Sequence, residues 1–197
     1  KNSLEIPTNV QSIGKGAFDG VGLKKIEFLG NTSVDRIQEG AFRNNKLTDL
    51  TLPSKISTIE KEAFRNNLIS VLDLENVPIT EIAEGVFRDN KLTKVNLSTK
   101  VKTIGKYAFM SNNFGTVTIN DSVEKIEQDA YGNNPNLVSA SVSQNLKTLN
   151  GYAFRVEPNT GNRPKVKVNI RGIGSAPARN PHDLMDGPYH VVNPHMH

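Results

Sequence analysis

The sequence predicts an α/β fold: a right-handed solenoid with short parallel strands on its concave face and short helical or 3-10 turns on its convex side. Three observations predict it. An aromatic residue returns every 22–24 positions, at Phe18, Phe42, Phe64, Phe87, Phe109, Tyr131 and Phe154. Two aliphatic columns keep step with it, and an apolar-polar-apolar triplet follows each aromatic. A fixed period of this length marks a chain of stacked structural repeats.

The aromatic column comes first. Alanine precedes the ring in every copy but one, where Val86 precedes Phe87. One repeat cannot bury such a ring alone. Stacked neighbours can, and they place each ring over the previous one inside a continuous core. Seven aromatics in step therefore read as core residues, not as a cofactor box, and nothing in the sequence indicates a cofactor.

Five residues before each aromatic sits an aliphatic: Ile13, Ile37, Ile59, Ile82, Ile104, Ile126 and Leu149. Three residues earlier sits another: Val10, Val34, Ile56, Ile79, Val101, Val123 and Leu146. No gap interrupts this block in any copy, so it is one rigid unit. The triplet Leu50, Thr51 and Leu52 recurs at 26–28, 72–74, 95–97, 117–119 and 140–142; it opens at 4–6 and closes at 168–170. A period of two is a short strand with one buried face. Eight such strands at roughly 4.8 Å spacing make a parallel sheet about 34 Å long. An apolar residue precedes most of them by three: Leu23, Leu47, Ile69, Leu92, Phe114 and Leu137.

Glu60, Lys61 and Glu62 typify the segment before the aromatic, and such helix formers predict one turn of α or 3-10 helix there. Asn44 with Asn45, Asn66 with Asn67, Asp89 with Asn90, Asn112 with Asn113 and Asn133 with Asn134 follow it. Asparagine tolerates the left-handed conformation that ends such a turn, and its amide can bond nearby backbone.

Residues 47–67 spell L-x-x-L-x-L-P-x-x-I-x-x-I-x-x-x-A-F-x-x-N. This resembles the bacterial leucine-rich repeat of the BspA-like surface protein family, over about residues 3–171. The resemblance implies a protein secreted or displayed at the cell surface of a bacterium. It also implies adhesion to host proteins or to other cells. The family supplies no shared catalytic residues, and its binding residues are not fixed within the repeat.

The domain reading is a solenoid over 1–171, with about seven repeats of 22–24 residues, and a C-terminal cap or linker over 172–197. The chain opens inside a repeat-like strand, which leads us to expect a leader or further segment upstream. Two extra residues near Gly30, Asn31 and Thr32 predict a bulge. The polar insert 156–164 predicts a projecting loop, and Tyr189, His190, Val191 and Val192 a last edge strand.

Charge is mildly basic, +4 from 24 basic and 20 acidic residues. No Lys/Arg run carries interleaved aromatics, which argues against a nucleic-acid partner. Cysteine is absent, so disulfides and thiolate metal sites are excluded. No apolar run is long enough to insert in a membrane. All four histidines, His182, His190, His195 and His197, lie in the tail, and no third metal ligand is fixed by spacing. No hydrolase, zincin or phosphate-loop motif occurs, so the chain reads as no enzyme.

The outward residues of the predicted strands are the candidate site: Lys25, Glu27, Asp49, Thr51, Asp73, Lys94, Asn96, Thr118 and Ser141. The first half of this face is charged; the stretch over 116–143 is small and polar. It carries no aromatic, which counts against sugar stacking. The expectation is a protein partner, a host extracellular or bacterial surface protein. The alternatives are a structural spacer that holds another domain away from the cell wall, and a plain solvated face.

Overall fold

In the computed structural model of the chain, residues 2–156 and 166–171 are described, together with the backbone of 185–186. The insert beyond Val156, the four histidines and the expected strand at 189–192 lie outside these residues.

Each copy has three sides. The first carries the longer strands β1 (Ser3–Ile6), β3 (Lys25–Phe28), β6 (Val71–Leu74), β8 (Lys94–Leu97), β10 (Thr116–Thr118), β12 (Ser139–Ser143) and β14 (Lys167–Arg171). This is the face expected to be concave. The second carries two- and three-residue strands: β2 (Ser12–Ile13), β4 (Arg36–Ile37), β5 (Thr58–Ile59), β7 (Glu81–Ile82), β9 (Thr103–Ile104), β11 (Lys125–Ile126), β13 (Thr148–Asn150) and β15 (Met185–Asp186). The third side holds the turns around the aromatics. Every strand pair is parallel and joins successive coils.

The core is the predicted one. Phe42, Phe64, Phe87 and Phe109 are fully buried, as are the aliphatic columns at Ile37, Ile82 and Ile104 and at Val34, Ile56 and Val101. The rings form one column from Phe18 to Phe154, with neighbouring centroids 5.1–5.8 Å apart. These separations slightly exceed the strand spacing, which is the geometry of offset stacking.

The turn side differs from the helical expectation. Among the described residues no helix forms. The backbone instead turns tightly through i to i−3 bonds, as in Ala41 N–H to Gln38 C=O and Arg43 N–H to Gly40 C=O. In each copy from Phe18 to Tyr131 two residues are left-handed, two before and two after the aromatic, as at Gly40 and Asn44, Glu62 and Asn66, Gly85 and Asp89, Tyr107 and Ser111. That alternation turns every second N–H out of the coil, so it cannot close a helical ring. Phe42 N–H donates to Ala63 C=O of the next coil, flanked by Gly40 to Lys61 and Asn44 to Arg65. The same three bonds recur at each of the six steps between aromatics, and the earlier coil always donates.

This ladder leaves the aromatic carbonyls unused, and asparagine satisfies them. Asn67 Nδ2 donates to Phe42 O and Phe64 O at 3.0 and 3.1 Å, while its Oδ1 accepts from Leu47 N–H. Asn45, Asn90, Asn112 and Asn134 do the same one coil up or down. In the copy after Phe109 the left-handed residue is Ser111 and the buried amide is Asn112, one position earlier than the expected pair.

The long-strand sheet is also not continuous. Leu50, Thr51 and Leu52 keep the buried-exposed-buried pattern, yet this segment pairs with neither neighbour. A second break separates β8 from β10. There Phe114 puts a ring where other copies have leucine or isoleucine, edge-on to both Phe109 and Tyr131.

Candidate functional site

The long-strand face presents two outward columns, because alternate strand residues point the same way. In the first, Glu5 lies opposite Glu27, Asp73 opposite Asn96, and Thr118 opposite Ser141, which is opposite Asn169. In the second, Ser3 lies opposite Lys25, Val71 opposite Lys94, and Ser139 opposite Lys167.

Lys25, Glu27, Asp49, Thr51, Asp73, Lys94, Asn96 and Thr118 are exposed or nearly so; Ser141 is half-buried. The two sheet breaks sort them. Lys25, Glu27, Asp49 and Thr51 line a groove of about 490 Å³ beside Phe28 and Pro53. Lys94, Asn96 and Thr118 line a second, of about 610 Å³, between β8 and β10. Asp73 stands between the grooves, its Oδ1 accepting the Glu75 N–H at 3.0 Å. Ser141 belongs to a third cluster that the sequence did not signal. Arg171 reaches from β14 to Ser141 Oγ at 2.8 Å, to Ile119 O and to Asp121 Oδ1 at 2.9 Å. That guanidinium holds the Asp121 carboxyl below its ordinary value, the hydrogen bond outweighing the cost of burial.

Charge pairing separates the faces. On the turn side, Arg43 pairs with Asp19 at 2.9 Å, Arg65 with Glu62 and Asp89, Lys61 with Glu84 at 2.8 Å, and Arg155 with Asp129 at 2.8 Å. Arg88 and Arg155 also lie over the rings of Tyr107 and Tyr152. On the long-strand face Lys25, Glu27, Asp49, Asp73 and Lys94 make no ion pair among the described residues. No described side chain therefore neutralises their charges.

The β8–β10 groove also contains two aromatic residues outside the candidate set, Phe114 and Tyr131. Their signal was present in the periodicity: Tyr131 is the one phenol in the aromatic column, and Phe114 the one ring in the leucine column. Among the described residues no three acidic or histidine side chains gather as a metal site, and no helix is long and apolar enough to cross a membrane.

The chain is 16% identical to pneumococcal vaccine antigen PcpA, with a TM-score of 0.51, over 98% of this chain and 67% of that one. A leucine-rich cell surface protein of Faecalibacterium prausnitzii is 14% identical over 88% of this chain and 60% of that one, with a TM-score of 0.40. A leucine-rich repeat protein of Bacteroides ovatus is 14% identical over 98% and 74%, with a TM-score of 0.38. Likeness at these identities concerns the fold alone. The curated proteins give no match. The model of the BspA-type leucine-rich repeat region matches residues 1–109 and 70–169, with six copies. Parallel coils, a buried aromatic column and that match across the repeats agree: the chain belongs to the BspA-type leucine-rich repeat family.

Proposed function

We propose that this is a non-enzymatic protein-binding domain, secreted or displayed at a bacterial surface, which docks a host extracellular or bacterial surface protein on its long-strand face. The observation that carries the reading is the contrast in pairing. Charges on the turn side are matched across coils, whereas Lys25, Glu27, Asp49, Asp73 and Lys94 stand exposed without ion-pair partners among the described residues. Unpaired charges arranged on a rigid sheet steer association and select partners more than they stabilise the fold. Family membership supports the same reading, since repeat proteins use one extended face for recognition.

The test compares wild-type protein with a Glu27→Lys, Asp73→Lys, Lys94→Glu variant, both immobilised, against extracellular-matrix and bacterial-surface extracts. Saturable capture of a defined protein, lost in the variant and retained in a turn-side Lys61→Glu control, is the expected result. Capture unchanged in the triple variant would remove the long-strand face from the account. No saturable capture by wild type would leave the spacer as the better reading.

A further inference from the structure

The groove between β8 and β10 is more than a gap between strands. It is walled by Val95 and Val117, has Lys94 and Thr118 at its lip, and reaches Phe114 and Tyr131 beneath them. Tyr131 is 3% exposed, and its hydroxyl has no hydrogen-bond partner among the described residues. The ring is buried but the hydroxyl oxygen opens on the groove, where water or a bound group can reach it. Burial pushes the Tyr131 phenol far above its ordinary value, so the group stays neutral and can both donate and accept.

The walls add to this. Alternate strand residues send their backbone groups to opposite edges. Thr93 N–H donates back to Ser70 C=O, which leaves the amides of Lys94 and Asn96 facing the groove. Ile119 N–H donates forward to Ser141 C=O, which leaves Thr116 and Thr118 facing it from the other wall. Where a rung would join the strands, the side-chain amide of Asn120 stands in, donating to Leu97 O at 2.8 Å and Ser98 O at 3.2 Å. Val95 is half-buried, although its counterparts Ile26, Leu50, Leu72, Val117 and Ala140 in the other internal coils are buried. At this central strand position the internal coils are open here alone.

We propose that this groove is the anchor socket of the face. It takes one neutral carboxamide side chain, glutamine or asparagine, from the bound protein, with the amide at Tyr131 Oη and the facing backbone groups. The inference rests on the protein-binding reading above. Lys94 and Glu75 line the groove with opposite signs, while Tyr131 Oη and the facing backbone groups are neutral and suit a group that both donates and accepts. A charged tip taken in to Tyr131 would lose hydration and meet only neutral groups there.

The experiment uses the intact chain with 13C-labelled tyrosine rings and titrates N-acetyl-glutamine methylamide against the matched glutamate and leucine derivatives. A dozen or so ligand atoms support a Kd on the order of 1 mM. The expected result is a saturable shift of the Tyr131 ring by the glutamine probe, a much smaller one by glutamate, and about fivefold weaker binding to Tyr131→Phe, followed by backbone shifts at Thr116 and Thr118. Phenylalanine already fills this column position in six other copies, so the variant keeps the fold. A Tyr131 ring that no probe shifts, or equal shifts by all three probes, would reduce the groove to a solvated crevice and overturn the inference. With a captured partner protein in hand, Tyr131→Phe leaving capture intact while the charge reversals abolish it would sink the socket alone. Charge reversals without effect would sink the face.

Discussion

Asn90 Nδ2 lies 3.0 Å from the carbonyl oxygen of Phe64, a residue one full coil away. The same amide reaches Phe87 O at 3.1 Å, and Asn90 Oδ1 accepts from Ile69 N–H. One buried side chain therefore ties three backbone groups that the inter-coil ladder leaves over.

Asn90→Ala should orphan Ile69 N–H in a dry core, while Phe64 O keeps the amide of Asn67 and Phe87 O that of Asn112. One buried backbone group left unpaired costs about 1–3 kcal/mol, and a loss in that range is expected. Asn90→Asp should be no better, because a carboxylate can accept from Ile69 N–H but cannot donate to two carbonyls. Urea unfolding of both variants measures this, and a loss below about 1 kcal/mol would contradict the role.

Two glycines at the same place in the repeat should respond with opposite sign. A Cβ on Gly105 would lie 2.8 Å from Ile82 O and 3.1 Å from Glu84 N, so Gly105→Ala must push neighbouring coils apart, at about 1–3 kcal/mol. A Cβ on Gly14 meets nothing within 4 Å. Gly14→Ala should stabilise by up to about 1 kcal/mol through the unfolded chain. Thermal melts of the pair check the contrast.

Acid should weaken the fold in a defined window. The Arg43 hydrogen bond lowers the Asp19 carboxyl, and the Lys15 and Lys147 ammonium groups lower Glu39 and Glu124. The unfolded chain takes up these protons first, near the ordinary values of 3.8 and 4.5. The stabilisation is therefore complete above those values and is lost as pH falls through the lower folded ones. Urea midpoints should hold level from neutral pH to about pH 5 and fall below it. These pairs are solvent-exposed, so added salt should shrink the fall. Arg43→Gln should flatten its share; an unchanged profile would count against the Asp19 pair.

Tyr131→Phe should leave stability within about 0.5 kcal/mol of wild type, because the hydroxyl opens on the groove, where water can bond it. The corresponding change in the other direction, Phe87→Tyr, should lower it, since Phe87 is fully buried. A lower melting point for Tyr131→Phe would mean that the hydroxyl already has a strong partner.

Side-chain periodicity made the core legible because it reports burial. Phe42, Ile37 and Val34 fall at their expected places, and so do the outward residues of the sheet. Periodicity does not report backbone pairing, which is why Leu50, Thr51 and Leu52 read as a strand and are not one. The turn side misled for a related reason. Gly16, Gly40 and Gly85 are the ordinary residues for a left-handed position, but Glu62, Tyr107 and Asp129 occupy it too, and Glu62 with its neighbours reads as helix. The geometry of the candidate site was half legible. Strand alternation picked out the exposed columns, while the grooves arise where strands fail to join, as at Phe114.

The direction of donation divides the coil. On the turn side, from Phe18 to Phe154, each coil offers hydrogens to the next and receives none back along that edge. The strand-bearing sides run mostly the other way, as in Lys46 N–H to Leu23 C=O, Glu60 N–H to Ile37 C=O and Lys102 N–H to Thr80 C=O, where the later coil donates. Peptide dipoles on opposite sides therefore oppose each other along the stack. The junction between two coils is a mixed key of donors and acceptors, and a coil rotated or slipped against its neighbour would set like groups together.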